Sequence, residues 1–209
     1  PELLALGQAW RQALGRRPVW LAASTREGEE ALLLDVLKAL AGAWPGLLLV
    51  LVPRHPQRFE AVAQQLAQEG LACQRRSQGL PGREHQVWLG DSMGEMAAYY
   101  RLADMAFIGG SLVPLGGQNL IEAAACGCPA LVGPHTFNFS QATEDAIAAG
   151  AARRVRDPLE LRQTLEALLE DPDSREKMGQ AGLAFWARHR GATRRILDLI
   201  RSDLPAAGR

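Results

Sequence analysis

Charge of either sign in excess is missing from this chain of 209 residues, in which 23 Lys and Arg balance 23 Asp and Glu. That balance argues against nucleic acid as a partner, because phosphate backbones ask for a strong basic excess. Cysteine is scarce and odd in number. Cys73, Cys126 and Cys128 fit neither a disulfide framework nor a four-ligand zinc site, which favours a reducing compartment. No apolar run approaches the roughly 18 residues that a membrane-spanning helix requires. The opening PELLALGQAW has neither the charged flank nor the apolar block of a signal peptide. Two nucleotide fingerprints are absent as well. No G-x-G-x-x-G joins a strand to a helix and no G-x-x-x-x-G-K-[ST] occurs, which counts against a dehydrogenase and against P-loop hydrolysis.

What the chain does have is alternation. PVWLAAS (18–24) and LLLVLV (47–52) are short apolar runs of the kind buried on both faces of a parallel sheet. Helical periodicity follows each, over 27–40 and 57–68. Strands at 71–76, 86–90, 104–110, 129–133 and 151–155 then alternate with helices at 95–102, 119–126 and 141–149. The pattern predicts an α/β fold, a Rossmann-like parallel sheet with helices on both faces. The hydrophobic content of 47% and the length suit one domain. Its expected parts are a connecting helix over 1–16, an α/β core over 17–157 and a helical tail over 158–209, with helices at 159–169, 175–189 and 193–200. Asp157-Pro158 and Asp171-Pro172 supply helix starts. The initial helix has no strand before it, and the chain is expected to begin inside a larger protein.

In an open parallel sheet, ligands bind where strand ends lead into helices. Ser24 and Thr25 follow the first strand, Pro53, Arg54 and His55 the second, Asp91 to Glu95 (Met93, Gly94 and Glu95 foremost) the strand QVWLG, and the stretch 109–122 the strand ending FIGG. That last loop carries Gly110, Ser111, Gly116, Gly117, Gln118, Asn119 and Glu122. Glycines let backbone N–H groups approach an anion closely, and a helix starting near Gln118 favours negative charge at its N-terminus. Glu122 lies one turn after Asn119, in place to accept bonds from paired ribose hydroxyls. A glycine-rich turn with an acid that merely complements a helix dipole is the plainer reading, and on that loop alone both stand. Arg54 offers a planar fork for phosphate or carboxylate, with a solvated loop arginine beside a capping His55 as its alternative. Met93 and Gly94 suit a flat base or the core. His135, in GPHTFNF, is a ligand contact or a loop-ordering group. Asp171 and Asp173 form a D-x-D of the type that holds metal in some sugar transferases, but they fall between helices, away from the strand ends. Arg188, Arg190, Arg194, Arg195 and Arg201 with Trp186 give the last helices a basic side that suits solvent better than anionic lipid.

AASTREGEE, LVPRHPQRF, GDSMGEM, FIGGSL, GGQNLIEAAA and GPHTFNF stand in this order at the strand ends. Together, over residues 18 to about 150, they resemble the C-terminal half of bacterial Kdo (3-deoxy-D-manno-octulosonic acid) transferases. These are GT-B glycosyltransferases that move Kdo from its cytidine monophosphate adduct, CMP-Kdo, onto a lipid A precursor. The resemblance implies CMP-Kdo as donor, no cofactor and no metal. It puts Arg54 at the phosphate or carboxylate, Met93 and Gly94 by the cytosine, the 110–119 loop at the phosphate and Glu122 at the ribose. Gln118 stands where the family commonly has histidine and Leu120 where proline is frequent. The catalytic base, the acceptor surface and the membrane anchor belong to the family's N-terminal domain, so this chain is expected to bind donor without transferring sugar. The full-length protein would work at the cytoplasmic side of the inner membrane. A GT-B protein using a uridine nucleotide, or a non-catalytic nucleotide-binding module, are the alternatives.

Overall fold

The computed structural model describes residues 2–189; the expected helix at 193–200 and the arginines from Arg190 onward lie outside them. Seven strands form one sheet: β1 (Val19–Thr25), β2 (Leu48–Pro53), β3 (Cys73–Arg75), β4 (Val87–Leu89), β5 (Met105–Ile108), β6 (Ala130–Val132) and β7 (Ala152–Arg154). Their order is β3-β4-β2-β1-β5-β6-β7 and every pairing is parallel. The helices are α1 (Glu2–Leu14), α2 (Glu29–Leu40), α3 (Phe59–Gln68), α4 (Met96–Leu102), α5 (Ile121–Ala125), α6 (Ser140–Ala148), α7 (Pro158–Glu170) and α8 (Pro172–His189).

The twofold side-chain alternation of strands sorts the core into two layers. Val19, Leu21, Val50, Trp88, Ala106 and Ile108 pack on one face with residues of α1, α4, α5 and α8. Trp20, Leu49, Leu51, Phe107 and Leu131 pack on the other with α2, α3 and α7. The unbroken apolar runs in the central strands therefore serve two cores at once. α1 docks on α4: Trp10 lies 5.0 Å from Trp88, edge to face, and 5.2 Å from Tyr99.

Element types follow the sequence expectation, with shorter boundaries where local chemistry intervenes. The helix expected over 27–40, α2, starts at Glu29, after Gly28 in the left-handed region at φ 83°. The helix expected over 119–126 shrinks to five residues, because the Asn119 side chain accepts the Ile121 N–H at 3.0 Å and opens it late. The segment 158–189 is not an appendage. α7 contributes Leu161, Leu165 and Leu168 to one core, and α8 contributes Phe185 to the other.

Candidate functional site

β1 has β2 on one side and β5 on the other, so the connections diverge at its carboxyl end, where a crevice opens. There the strand is irregular: pairing with β2 slips between Ala23 and Thr25, and Ser24 adopts φ 57°, left-handed for a residue with a Cβ. Gly109 makes this possible, since a Cβ there would stand 2.4 Å from the Ser24 carbonyl oxygen.

The crevice is a cleft of about 200 Å³. Of the expected residues it gathers Ser24, Pro53, Arg54, Met93, Gly94, Glu95, Gln118, Asn119 and Glu122. Val52, Ser92, Met96, Tyr99 and Tyr100 complete the wall. Sequence reasoning placed Ser92 at this rim but passed over Val52, Met96, Tyr99 and Tyr100, although Tyr99 falls one turn after Glu95 and hence on the same helical face. The cleft is smaller than the roughly 300 Å³ at which binding pockets begin, so as it stands it cradles part of a ligand and leaves the rest open.

Seven expected residues do not line it. Thr25 is fully buried and its hydroxyl donates to Glu30 at 2.9 Å. Ser111 is also fully buried; its hydroxyl donates to the Ile108 carbonyl and accepts the Gly133 N–H at 2.8 Å. Gly116 and Gly117 shape the loop, and the Gly117 N–H donates to the Gly110 carbonyl at 2.9 Å. Both take positive φ, and a Cβ on Gly116 would fall 2.4 Å from the Asn138 amide, which itself donates to the Leu115 carbonyl at 3.0 Å. His55 is exposed beside the cleft, its carbonyl closing a short 3-10 turn through Arg58 N–H. His135 binds the Ser111 carbonyl through its main chain.

Gly110 needs the largest correction. Its N–H, with those of Ser111 and Leu112, donates to the Glu29 carboxylate at 2.7, 3.1 and 3.1 Å. The first half of the glycine-rich loop thus holds an anion already, one supplied by the protein. Glu29 has no exposed surface, and its position in an acidic pair opening an apolar helix gave no hint of a partner 81 to 83 residues away. Burial pushes its carboxyl above the ordinary range, while the amides of Gly110, Leu112 and Arg26 pull the other way. In the second half the amides of Gln118 and Asn119 have no acceptor among the described residues. Since α5 has only five residues, those free amides carry the site's polarity, and little macrodipole stands behind them.

The charges at the cleft are unevenly committed. Glu95 is held by Arg76 at 2.9 Å and by the Ser92 hydroxyl, and Arg76 in turn lies 4.9 Å over the Trp10 ring, tying α1 to the cleft wall. Burial, foremost, raises Tyr99 to about 12, with its Ser92 hydrogen bond opposing. Glu122 is exposed and, among the described residues, its carboxylate meets only the Asn119 amide, at 3.4 Å. Arg54 is exposed and its guanidinium has no partner among the described residues. Away from the cleft, Asp171 accepts the Ser174 N–H at 2.9 Å and so caps α8. Burial raises the Cys126 and Cys128 thiols, which disfavours the reactive thiolate.

Comparison with known proteins follows the same lines. The family described as Glycosyl transferases group 1 matches residues 34–185. A 3-deoxy-D-manno-octulosonic acid transferase of Bordetella pertussis is 52% identical over 202 residues, 94% of this chain and 47% of the relative. One from Haemophilus influenzae is 43% identical over 96% of this chain, again 47% of its own length. The chain therefore spans about half the length of these curated relatives. Among solved structures, the C-terminal CMP-Kdo binding domain of WaaA from Acinetobacter baumannii is 31% identical, with a TM-score of 0.83, covering 88% of this chain and 97% of that one.

Proposed function

Because the chain belongs to the glycosyl transferase group 1 family and, within it, to the C-terminal domains of Kdo transferases, we propose that it is the half that holds CMP-Kdo for transfer to a lipid A precursor. The observation that carries this reading is the cleft at the β1–β5 crevice. There the unpartnered Arg54, the free amides of Gln118 and Asn119 and the exposed carboxylate of Glu122 converge. Arg54 and the two amides receive the phosphate, Glu122 accepts the ribose hydroxyls, and Met93 with Gly94 lies against the base.

In transfer, the bond between the anomeric carbon and the phosphate oxygen breaks, and the electron pair departs with cytidine monophosphate. Charge grows on that phosphate, so preorganised donors on it lower the barrier; loss of one such donor typically costs about 100-fold to 1,000-fold in rate. Arg54 and the amides fill this role without a metal. Of the two carboxylates on the wall, Glu95 is committed to Arg76 and Ser92, which leaves Glu122 alone and weakly placed to ligate an ion. The base that deprotonates the acceptor hydroxyl, the acceptor surface and the contact with the inner membrane reside in the other half of the protein. The open side of the cleft is where that half closes.

Calorimetric titration of the chain with cytidine monophosphate, cytidine and uridine monophosphate tests the proposal. Cytidine monophosphate is expected to bind tightest, unaffected by magnesium. Absence of binding overturns the donor site, preference for the uridine nucleotide overturns the substrate, and strict magnesium dependence overturns the metal-free role.

A further inference from the structure

CMP-Kdo carries two negative charges, one on its phosphate diester and one on the sugar's carboxylate. Arg54 is the single basic side chain on the cleft wall, and it shares that wall with Glu95 and Glu122. Two further arginines near this rim are committed: Arg76 to Glu95 at 2.9 Å and Arg58 to Glu30 at 2.6 Å. Gln118 is neutral. A dianion entering this cleft therefore meets too little positive charge from the wall alone.

Arg26 stands two residues beyond Ser24, in the turn between β1 and α2. Its Cγ and the Gln118 side-chain amide nitrogen are the two atoms nearest to the point where a Cβ on Gly110 would lie, at 3.2 and 3.5 Å. The stem of Arg26 thus lies over the bare backbone of Gly110, beside a residue of the cleft wall. Its main-chain N–H is fixed by Glu29 at 3.3 Å. Its guanidinium, by contrast, has no hydrogen bond or ion pair among the described residues, although the residue is half-buried. A guanidinium without a partner beside the cleft wall has its planar fork of donors free for an arriving anion.

We propose that Arg26 is a second phosphate-binding residue of the cleft, gripping the donor from the β1 side while Arg54 grips it from the β2 side. It supplies the positive charge that neutral Gln118 does not. Glu29 serves both parts of the arrangement, since one carboxylate orders the Gly110–Leu112 turn and the main chain of Arg26 above it. The inference rests on the donor-site reading.

The test is titration of the parent chain, Arg26→Ala and Arg26→Lys with cytidine monophosphate and with cytidine, alongside thermal melting. Arg26→Ala is expected to weaken cytidine monophosphate about tenfold, the scale of a partly exposed charge-assisted hydrogen bond. Cytidine affinity and melting temperature stay as in the parent, and Arg26→Lys recovers part of the loss. If Arg26→Ala binds cytidine monophosphate within about twofold of a binding parent, or loses cytidine equally, the assignment of Arg26 is wrong. A parent that binds no cytidine monophosphate instead overturns the donor site itself.

Discussion

The two ends of the sheet are built from similar residues and handle them in opposite ways. At the amino end the charges nearest the strands are engaged, while Arg16 and Arg83 stay exposed in solvent: Asp104 accepts the Val19 N–H at 2.7 Å and pairs with Arg11 at 3.2 Å. Arg17 donates to the carbonyls of Gly46, Gly82 and His85, at 2.9 and 2.8 Å for the first two. At the carboxyl end Arg54 and Arg26 have guanidinium groups without partners among the described residues, Glu122 is barely engaged, and Met93 is 58% exposed. Charge content does not distinguish scaffold from site here; what marks the site is unpaired charge gathered in a cleft with free amides. Polar groups that already have partners hold the fold, and those kept waiting mark where a ligand completes the set.

Glu29 is the exception at the carboxyl end, and removing it should produce the largest effect. Glu29→Ala leaves three consecutive amides buried without an acceptor, which is expected to cost on the order of 3 kcal/mol of stability in urea unfolding. If stability holds, the loop does not depend on its internal anion. Next comes a pair of substitutions that should dissociate. Asp104→Ala is expected to cost about 2 kcal/mol of stability and leave the affinity for cytidine monophosphate unchanged. Arg54→Ala is expected to leave the melting temperature unchanged and weaken the nucleotide about twentyfold. Equal effects of both on stability would erase the contrast between the ends.

The smallest effect concerns pH. Tyr99 is raised by burial from 10 to about 12, so the folded chain favours its neutral phenol. The associated stability is fully present below pH 10 and is lost as pH rises through about 12. Tyr100 is pushed up as well, again chiefly by burial. With two tyrosines in the chain, absorbance at 295 nm should show almost no phenolate at pH 10 in the native state and about half in urea. Native titration near pH 10 would mean that water reaches the cleft wall.

How much of this was legible beforehand varied with the range of the interactions. LLLVLV had to be a two-faced strand, because no other element buries six consecutive apolar residues so readily, and it is β2. Arg54 and Glu122 were accessible because a parallel sheet sends the residues after its strands to one rim. The glycine-rich loop was half misread. Its composition announced backbone amides near an anion, and Gly110 to Leu112 have one, but that anion is Glu29. Ser111 and Thr25 looked like ligand hydroxyls for the same reason: the strand-end rule places residues at the rim but not the direction in which each side chain turns.

The sequence by itself determined the alternation of strands and helices, the parallel sheet and the rim on which the chemistry sits, since these follow from hydrophobic period and connection length. Only the tertiary structure decided which polar groups remain free. Whether an amide or a guanidinium is available depends on partners brought from far along the chain, and in Gly110 and Glu29, 81 residues apart, no local pattern carries that information.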